Sequence, residues 1–228
     1  MGSTRLPGKV LAQVIGRPLL WHVVTRLRCS ERLDGLILAT STLQQDDVLE
    51  RFAADCNLSC FRGSESDVLS RYYQAATQWG ADVIVRVTGD CPLIDPKVVD
   101  SVIEVHLGSG ADYTSNTLVR TYPRGLDTEV FTDKVLATAY RAAEEDYERE
   151  HVTPYIWRHH KLFHLQSVEA EGKLRRPEFR LTVDTEEDLS LIRSIYEALY
   201  PSDQLFDTGK VIDFLDKQPE LTQLNKYV

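Results

Sequence analysis

Two carboxylates stand where chemistry is easiest to arrange. Asp90 lies in Val87-Thr-Gly-Asp90-Cys-Pro-Leu-Ile-Asp95-Pro, just past the apolar run Val83 to Val87, and Asp184 ends the alternating run Phe179 to Val183. Both runs read as β-strands, and ligands of open parallel sheets bind beyond the C-terminal strand ends. Two carboxylates meeting at one such edge could hold Mg2+. Plainer roles stay open for each: a turn aspartate after glycine for Asp90, and a favourable charge at a helix N-terminus for Asp184. A further suggestive stretch is Gly2-Ser3-Thr-Arg5-Leu-Pro-Gly8-Lys9, with two flexible glycines, backbone N–H groups and two cations, the ingredients of a phosphate-holding loop. It is not a Walker A loop, because five residues instead of four separate its glycines and Val10 stands where a metal-binding hydroxyl belongs. A solvated basic terminus punctuated by Gly and Pro is the alternative.

The elements that must position these residues are read from periodicity. Leu19, Leu20, Val23, Val24 and Leu27 predict a helix over 17–31, followed by a strand over 35–40. A helix over 43–54 and a short strand over 58–61 come next, then a helix capped by Ser64 and Asp67 that ends at Gly80. After the 83–87 strand, a helix is predicted over 96–107, strands over 128–131 and 162–168, and largely helical chain over 132–160. Thr185 and Asp188 cap a helix carrying Leu189, Ile192, Tyr196 and Leu199, and a last helix covers 209–216. Strands alternating with helices imply an α/β fold: one domain over 1–228, with a mainly parallel central sheet flanked by helices. The opening is unusual, because a loop feeds the first helix where an α/β nucleotide-binding unit normally begins with a strand. A first strand is absent from this reading.

The balance of 26 Lys plus Arg against 35 Asp plus Glu leaves a net charge of −9 over 228 residues, which argues against nucleic acid and anionic lipid as partners. The stretch before Glu31 is nevertheless cationic, through Arg5, Lys9, Arg17, Arg26 and Arg28, so a small polyanion could dock there. Cys29, Cys56, Cys60 and Cys91 lack the paired spacing of a zinc site and read as reduced thiols. With no apolar run near the roughly 20 residues that span a bilayer, and no signal-peptide core, the expected location is the cytoplasm.

Five segments, in order, carry a resemblance: Met1-Gly-Ser-Thr-Arg-Leu-Pro-Gly-Lys-Val-Leu, Asp67-Val-Leu-Ser-Arg71-Tyr-Tyr, Arg86-Val-Thr-Gly-Asp90-Cys-Pro-Leu-Ile-Asp95, Arg124-Gly-Leu-Asp127-Thr-Glu129-Val and Glu150-His151-Val-Thr-Pro. Together they resemble the cytidylyltransferase group related to the spore coat polysaccharide protein SpsF, whose wider relatives transfer CMP from CTP to 3-deoxy-2-ulosonic acids. The resemblance implies a nucleotide-diphospho-sugar transferase-like fold, a likeness running to about residue 200, and a homodimer. It assigns Gly2, Ser3, Arg5 and Lys9 to the triphosphate, with Ala39, Thr40 and Ser41 near the base or ribose and Arg71 and Arg86 close to the nucleotide. Asp90 and Asp184 become the Mg2+ carboxylates, the latter within Val183-Asp-Thr-Glu-Glu-Asp-Leu189. Arg124, Asp127, Glu129 and His151 fall on the acceptor side, and Arg124 or Arg180 could grip the carboxylate of an acidic sugar.

The resemblance also implies that relatives run one more strand, of about six residues, into the Met1 loop. A chain carrying it should then melt higher and turn over faster. Two other readings remain: a glycosyltransferase, which more typically shows Asp-x-Asp where this chain has Asp90-Cys91-Pro92, and a non-catalytic nucleotide-binding subunit.

Overall fold

Glu129–Thr132 (β7) lies between Val83–Arg86 (β5) and Tyr113–Ser115 (β6) and runs antiparallel to both. This is the centre of a four-stranded sheet in the computed structural model, which describes residues 1–226. Leu165–Ser167 (β8) completes it, parallel to β6. A separate parallel pair joins Ile37–Ser41 (β3) to Ser59–Gly63 (β4). The sheet is therefore mixed, where the strand-and-helix alternation predicts mainly parallel pairing. The reason lies in the connection from β6 to β7, residues 116–128, which contains no crossover helix and lets β7 return antiparallel.

No ladder joins β3 to β5. The edges of the two strands face a slot of about 890 Å³, lined by Leu38 and Ala39 on one side, Val83 and Val85 on the other, and Val24 and Tyr72 from flanking helices. Ile37, Leu38, Val83 and Val85 are consequently only half-buried, although such apolar runs normally belong to strands covered on every side.

Helices close both faces. Leu19–Leu27 (α1) buries Leu19, Leu20, Val23 and Val24, and Pro96–Ser109 (α4) buries Val98, Val99, Val102 and Ile103. Glu186–Leu199 (α8) and Thr208–Lys217 (α9) add Leu189, Ile192, Ile195, Val211 and Ile212 to the same core. A second core lies under Val68–Trp79 (α3) and Asp133–Ala142 (α5), around Leu69, Tyr113, Phe131 and Leu136. Asp47–Asp55 (α2) covers the β3–β4 pair through Leu49 and Phe52. The chain predicted as largely helical over 132–160 breaks into α5, Asp146–His151 (α6) and Pro154–Arg158 (α7), the last break at Val152 with φ 74°. Among the described residues, no helix is long and apolar enough to cross a membrane.

The predicted helix over 17–31 starts later because Arg17–Pro18 (β2) pairs antiparallel with Gln13–Val14 (β1). Between them Ile15 and Gly16 have φ of 47° and 66°. Two positive angles make a type I′ hairpin turn, which favours Asn-Gly, and a β-branched residue is strained there. Since Ile15 is also exposed, Ile15→Asn should raise stability by about 1 kcal/mol. Denaturant unfolding should show a higher midpoint at unchanged slope; a lower midpoint would contradict the strain.

Candidate active site

The carboxylates of Asp90 and Asp184, 94 positions apart in sequence, meet on one ammonium. Lys9 Nζ lies 2.7 Å from Asp90 Oδ2 and 2.7 Å from Asp184 Oδ1. Gly8, at φ 71°, turns the opening loop into the single 3-10 turn Lys9–Leu11, which projects Lys9 between the two acids. Arg5 Nη2 reaches Asp184 Oδ2 at 3.1 Å from a far more exposed position. Backbone bonding fixes the two acidic loops to each other, because Val183 N donates to Asp90 O at 2.9 Å. Thr88 Oγ1 donates to Asp90 Oδ1 at 2.5 Å.

The segment from Phe179 to Val183 does alternate, with Phe179, Leu181 and Val183 buried. It is not a regular strand, however. It makes one isolated parallel bridge, Arg180 to Arg124, with Leu181 N donating to Arg124 O and Arg124 N to Phe179 O. Its alternation comes from burying every second side chain beneath the loops, not from a ladder. Gly125 makes this approach possible: its φ is 100°, and a Cβ there would lie 2.6 Å from Leu181 C.

Burial pushes the Asp184 carboxyl up, but Lys9, Arg180 and Arg5 outweigh it and hold the group below the usual carboxylate range. Burial likewise works against the Lys9 ammonium, while Asp90 and Asp184 together raise its pKa. Asp188, fully buried, organises the backbone behind Asp184. Its Oδ2 accepts from Asp184 N at 2.8 Å and Thr185 N at 3.1 Å, and Thr185 Oγ1 accepts from Asp188 N, closing the predicted capping box. Its Oδ1 accepts from Arg180 Nε at 2.9 Å and Asn225 Nδ2 at 2.8 Å. Arg180 is thus clamped between Asp188 and Asp184.

Arg86 sits on a second centre. Its Nη1 donates to Glu129 Oε2, and Glu129 Oε1 accepts from Tyr113 Oη at 2.6 Å and Thr153 Oγ1 at 2.6 Å. Burial opposes the charge on Arg86, but Glu129 overcomes it and raises the guanidinium above its ordinary value. Beside this pair lies a pocket of about 240 Å³, lined among others by Thr88, Arg120, Asp127, His151 and Trp157. Thr88 is shared, so the pocket adjoins Asp90.

The remaining predicted site residues lie further out. Thr40 and Ser41 hydroxyls and Ser41 N all donate to Asp46 Oδ2, and the Met1 ammonium lies 2.8 Å from Asp46 Oδ1. Burial raises the Asp46 carboxyl, yet those donors hold it far below its ordinary value. Ala39 and Arg71 line the slot between β3 and β5, and the buried Arg71 Nε makes no hydrogen bond. Gly2 is exposed, and Ser3 Oγ accepts from Leu6 N within the opening loop. Arg124 is exposed and does not line the pocket. Sequence reasoning missed Arg120, a lone arginine with no motif around it, and saw Asp188 only as a cap.

A mixed α/β sheet with acids at its loop ends, bridged by a lysine from a Gly-containing cationic loop, belongs to the nucleotidyltransferase class of Rossmann-like folds. Residues 1–227 match the cytidylyltransferase family model. The chain is 37% identical over 225 residues to the spore coat polysaccharide biosynthesis protein SpsF of Bacillus subtilis, covering 96% of this chain and 92% of SpsF. It is 25% identical over 240 residues to the 3-deoxy-manno-octulosonate cytidylyltransferase of Chlamydia trachomatis, covering 100% of this chain and 90% of that one. Among solved structures, a cytidylyltransferase from Leptospira borgpetersenii superposes with a TM-score of 0.93 at 33% identity, over 100% of this chain and 94% of that one. The chain belongs to the cytidylyltransferase family, and is a CTP-dependent nucleotidyltransferase.

Proposed function

We propose that this protein transfers CMP from CTP to the hydroxyl of a sugar acid, releasing pyrophosphate, in the biosynthesis of a surface or spore coat polysaccharide. The observation that carries this reading is the Asp90–Lys9–Asp184 bridge, joined through the Thr88 hydroxyl on Asp90 to the Arg120-lined pocket. The relatives' names support the sugar-acid and polysaccharide parts of it. The acceptor hydroxyl oxygen attacks the α-phosphorus and gives up its proton to water, a new P–O bond forms, and the bond to the β-phosphate oxygen breaks, its electrons leaving with pyrophosphate. Positioning and charge stabilisation do most of the work in such transfers, so no covalent nucleophile is needed.

Asp90 and Asp184 fit a divalent cation of the magnesium type. Such an ion binds through one or two carboxylates plus substrate phosphates and waters, and both acids here are part-exposed and converge on one cation position. When bound, the ion would neutralise charge developing on the phosphate oxygens. Lys9, on a flexible stem, exchanges its carboxylate partners for the triphosphate, and Arg5 adds a second phosphate contact from the loop. Gly2 and Ser3 contribute backbone to the same loop, while Ala39, Thr40, Ser41, Arg71 and Arg86 form the nucleotide side. All four cysteines are free thiols, which supports a reducing, cytoplasmic location.

Arg5→Ala and Lys9→Ala should each weaken CTP binding, but differently with salt. Arg5 is 56% exposed and Lys9 12%, so the Arg5 effect should shrink as salt rises while the Lys9 effect persists. Calorimetric titration of CTP at low and high salt reads both; unchanged affinity at low salt in both variants would reject the phosphate role. The reaction itself is tested by pyrophosphate release with each of the four nucleoside triphosphates against a panel of ulosonic acids. Release with CTP and one of these acids is expected, and release with no acid would reject the proposal.

A further inference from the structure

Arg120 projects into the pocket from the connection between β6 and β7 and is gripped there by Asp127. Its Nη1 lies 2.5 Å from Asp127 Oδ1 and its Nη2 3.0 Å from Oδ2, a two-point fork. Both partners are reached by solvent, at 26% and 36% exposure. The other candidate cations are committed or elsewhere. Arg86 is held by Glu129, whose carboxylate is 9% exposed and also takes Tyr113 and Thr153. Arg180 is clamped by Asp184 and Asp188, and Arg124 does not line the pocket. Arg120 is therefore the pocket-lining arginine whose carboxylate partner can be exchanged.

We infer that Arg120 selects the acceptor, its guanidinium releasing Asp127 and taking the carboxylate of the incoming sugar acid. This rests on the sugar-acid reading above and names the residue that enforces it. The geometry suits the exchange, because an arginine fork accepts any planar carboxylate in the same two-point manner. The pair is only part-buried, so water reaches both partners and can take up the bonds each gives up when Arg120–Asp127 opens. Asp127, once released, remains in the pocket as a hydrogen-bond acceptor for sugar hydroxyls. The exchanged ion pair lies beside the reacting centre, since Thr88 lines the same pocket and donates to Asp90.

The test compares a 3-deoxy-2-ulosonic acid with its methyl ester, which keeps the sugar and removes the charge. KM and kcat are measured for both, and for CTP, in the natural enzyme, Arg120→Ala and Arg120→Lys. The natural enzyme is expected to prefer the acid. Arg120→Ala should raise the KM for the acid by about ten- to a hundredfold, erase the preference over the ester and leave the KM for CTP unchanged. Arg120→Lys should restore part of the preference, keeping the charge without the fork. An Arg120→Ala enzyme that still prefers the acid with unchanged KM would overturn the inference while leaving the sugar-acid reading intact. A natural enzyme that turns over neither compound would overturn that reading itself.

Discussion

Asp90→Asn and Asp184→Asn should each abolish nucleotidyl transfer while leaving the protein folded. Both changes keep the size and planar shape of the side chain and remove one negative charge from a part-exposed site. In Asp184→Asn the backbone support survives, because it is the backbone N of Asp184, not its carboxylate, that bonds to Asp188. What disappears is the charge that faces Lys9, Arg180 and Arg5, together with a proposed ligand of the cation. Losing several kcal/mol of transition-state charge stabilisation corresponds to a fall in kcat of roughly a thousandfold or more. Single-turnover rates, with thermal melts of the same samples, measure both halves of the expectation. A purified variant with near-normal rates would remove that residue from the chemistry.

Glu129→Ala should have the largest effect on stability. Glu129 was expected on the acceptor side of the site, and it does border the pocket, yet its carboxylate is taken up by Arg86, Tyr113 and Thr153. Truncation leaves the Arg86 cation enclosed without its counter-charge, with Arg86 Nε already lacking a hydrogen bond. Removing one partner of a buried ion pair costs about 3–5 kcal/mol, a large share of the roughly 5–15 kcal/mol that stabilises a typical domain. Denaturant unfolding of Glu129→Ala and of the double variant Glu129→Ala/Arg86→Met separates the terms. The double variant should recover much of the loss, since the stranded charge is gone. Equal destabilisation of both would show that Glu129 acts through something other than Arg86.

Several features were legible in the sequence because they are local. Apolar periodicity placed α1, Gly80 marked the end of α3, whose N-cap is Asp67 instead of the expected Ser64–Asp67 box, and the Thr185–Asp188 spacing announced a capping box that forms. Asp90 and Asp184 were read as loop-end acids from the runs before them, and these loops do meet. Non-local pairing was not legible. The run from Phe179 to Val183 alternates like a strand but makes only one bridge, because alternation reports which side chains are buried and not what the backbone pairs with. Tyr113–Ser115 is too short to stand out, and it pairs on one side antiparallel and on the other parallel. Arg120 escaped notice because nothing in Leu118-Val-Arg120-Thr distinguishes it from any loop cation until the fold sets Asp127 against it.

The charge distribution at the carboxylate edge follows the same logic. Lys9 comes from the start of the chain, Asp90 from the loop after β5, and Asp184 from the turn before α8, so three separate loops must be docked before the bridge exists. Gly125 permits that docking by letting Arg124 O accept from Leu181 N and Arg124 N donate to Phe179 O at close range. The slot between β3 and β5 reaches Thr88 and Gly89 beside Asp90, and Ala39 and Arg71, which are proposed for the nucleotide side, line it where the sheet lacks a continuous ladder.

The most direct test of the proposed transfer follows the phosphorus atoms of CTP. CTP labelled at the α-phosphorus, or separately at the γ-phosphorus, is incubated with the enzyme, Mg2+ and a 3-deoxy-2-ulosonic acid, and the products are separated. Attack at the α-phosphorus predicts that the α label moves into a CMP–sugar conjugate in equal amount to the γ label released as pyrophosphate. Label from the γ position in the sugar, or release of inorganic phosphate in place of pyrophosphate, would contradict it.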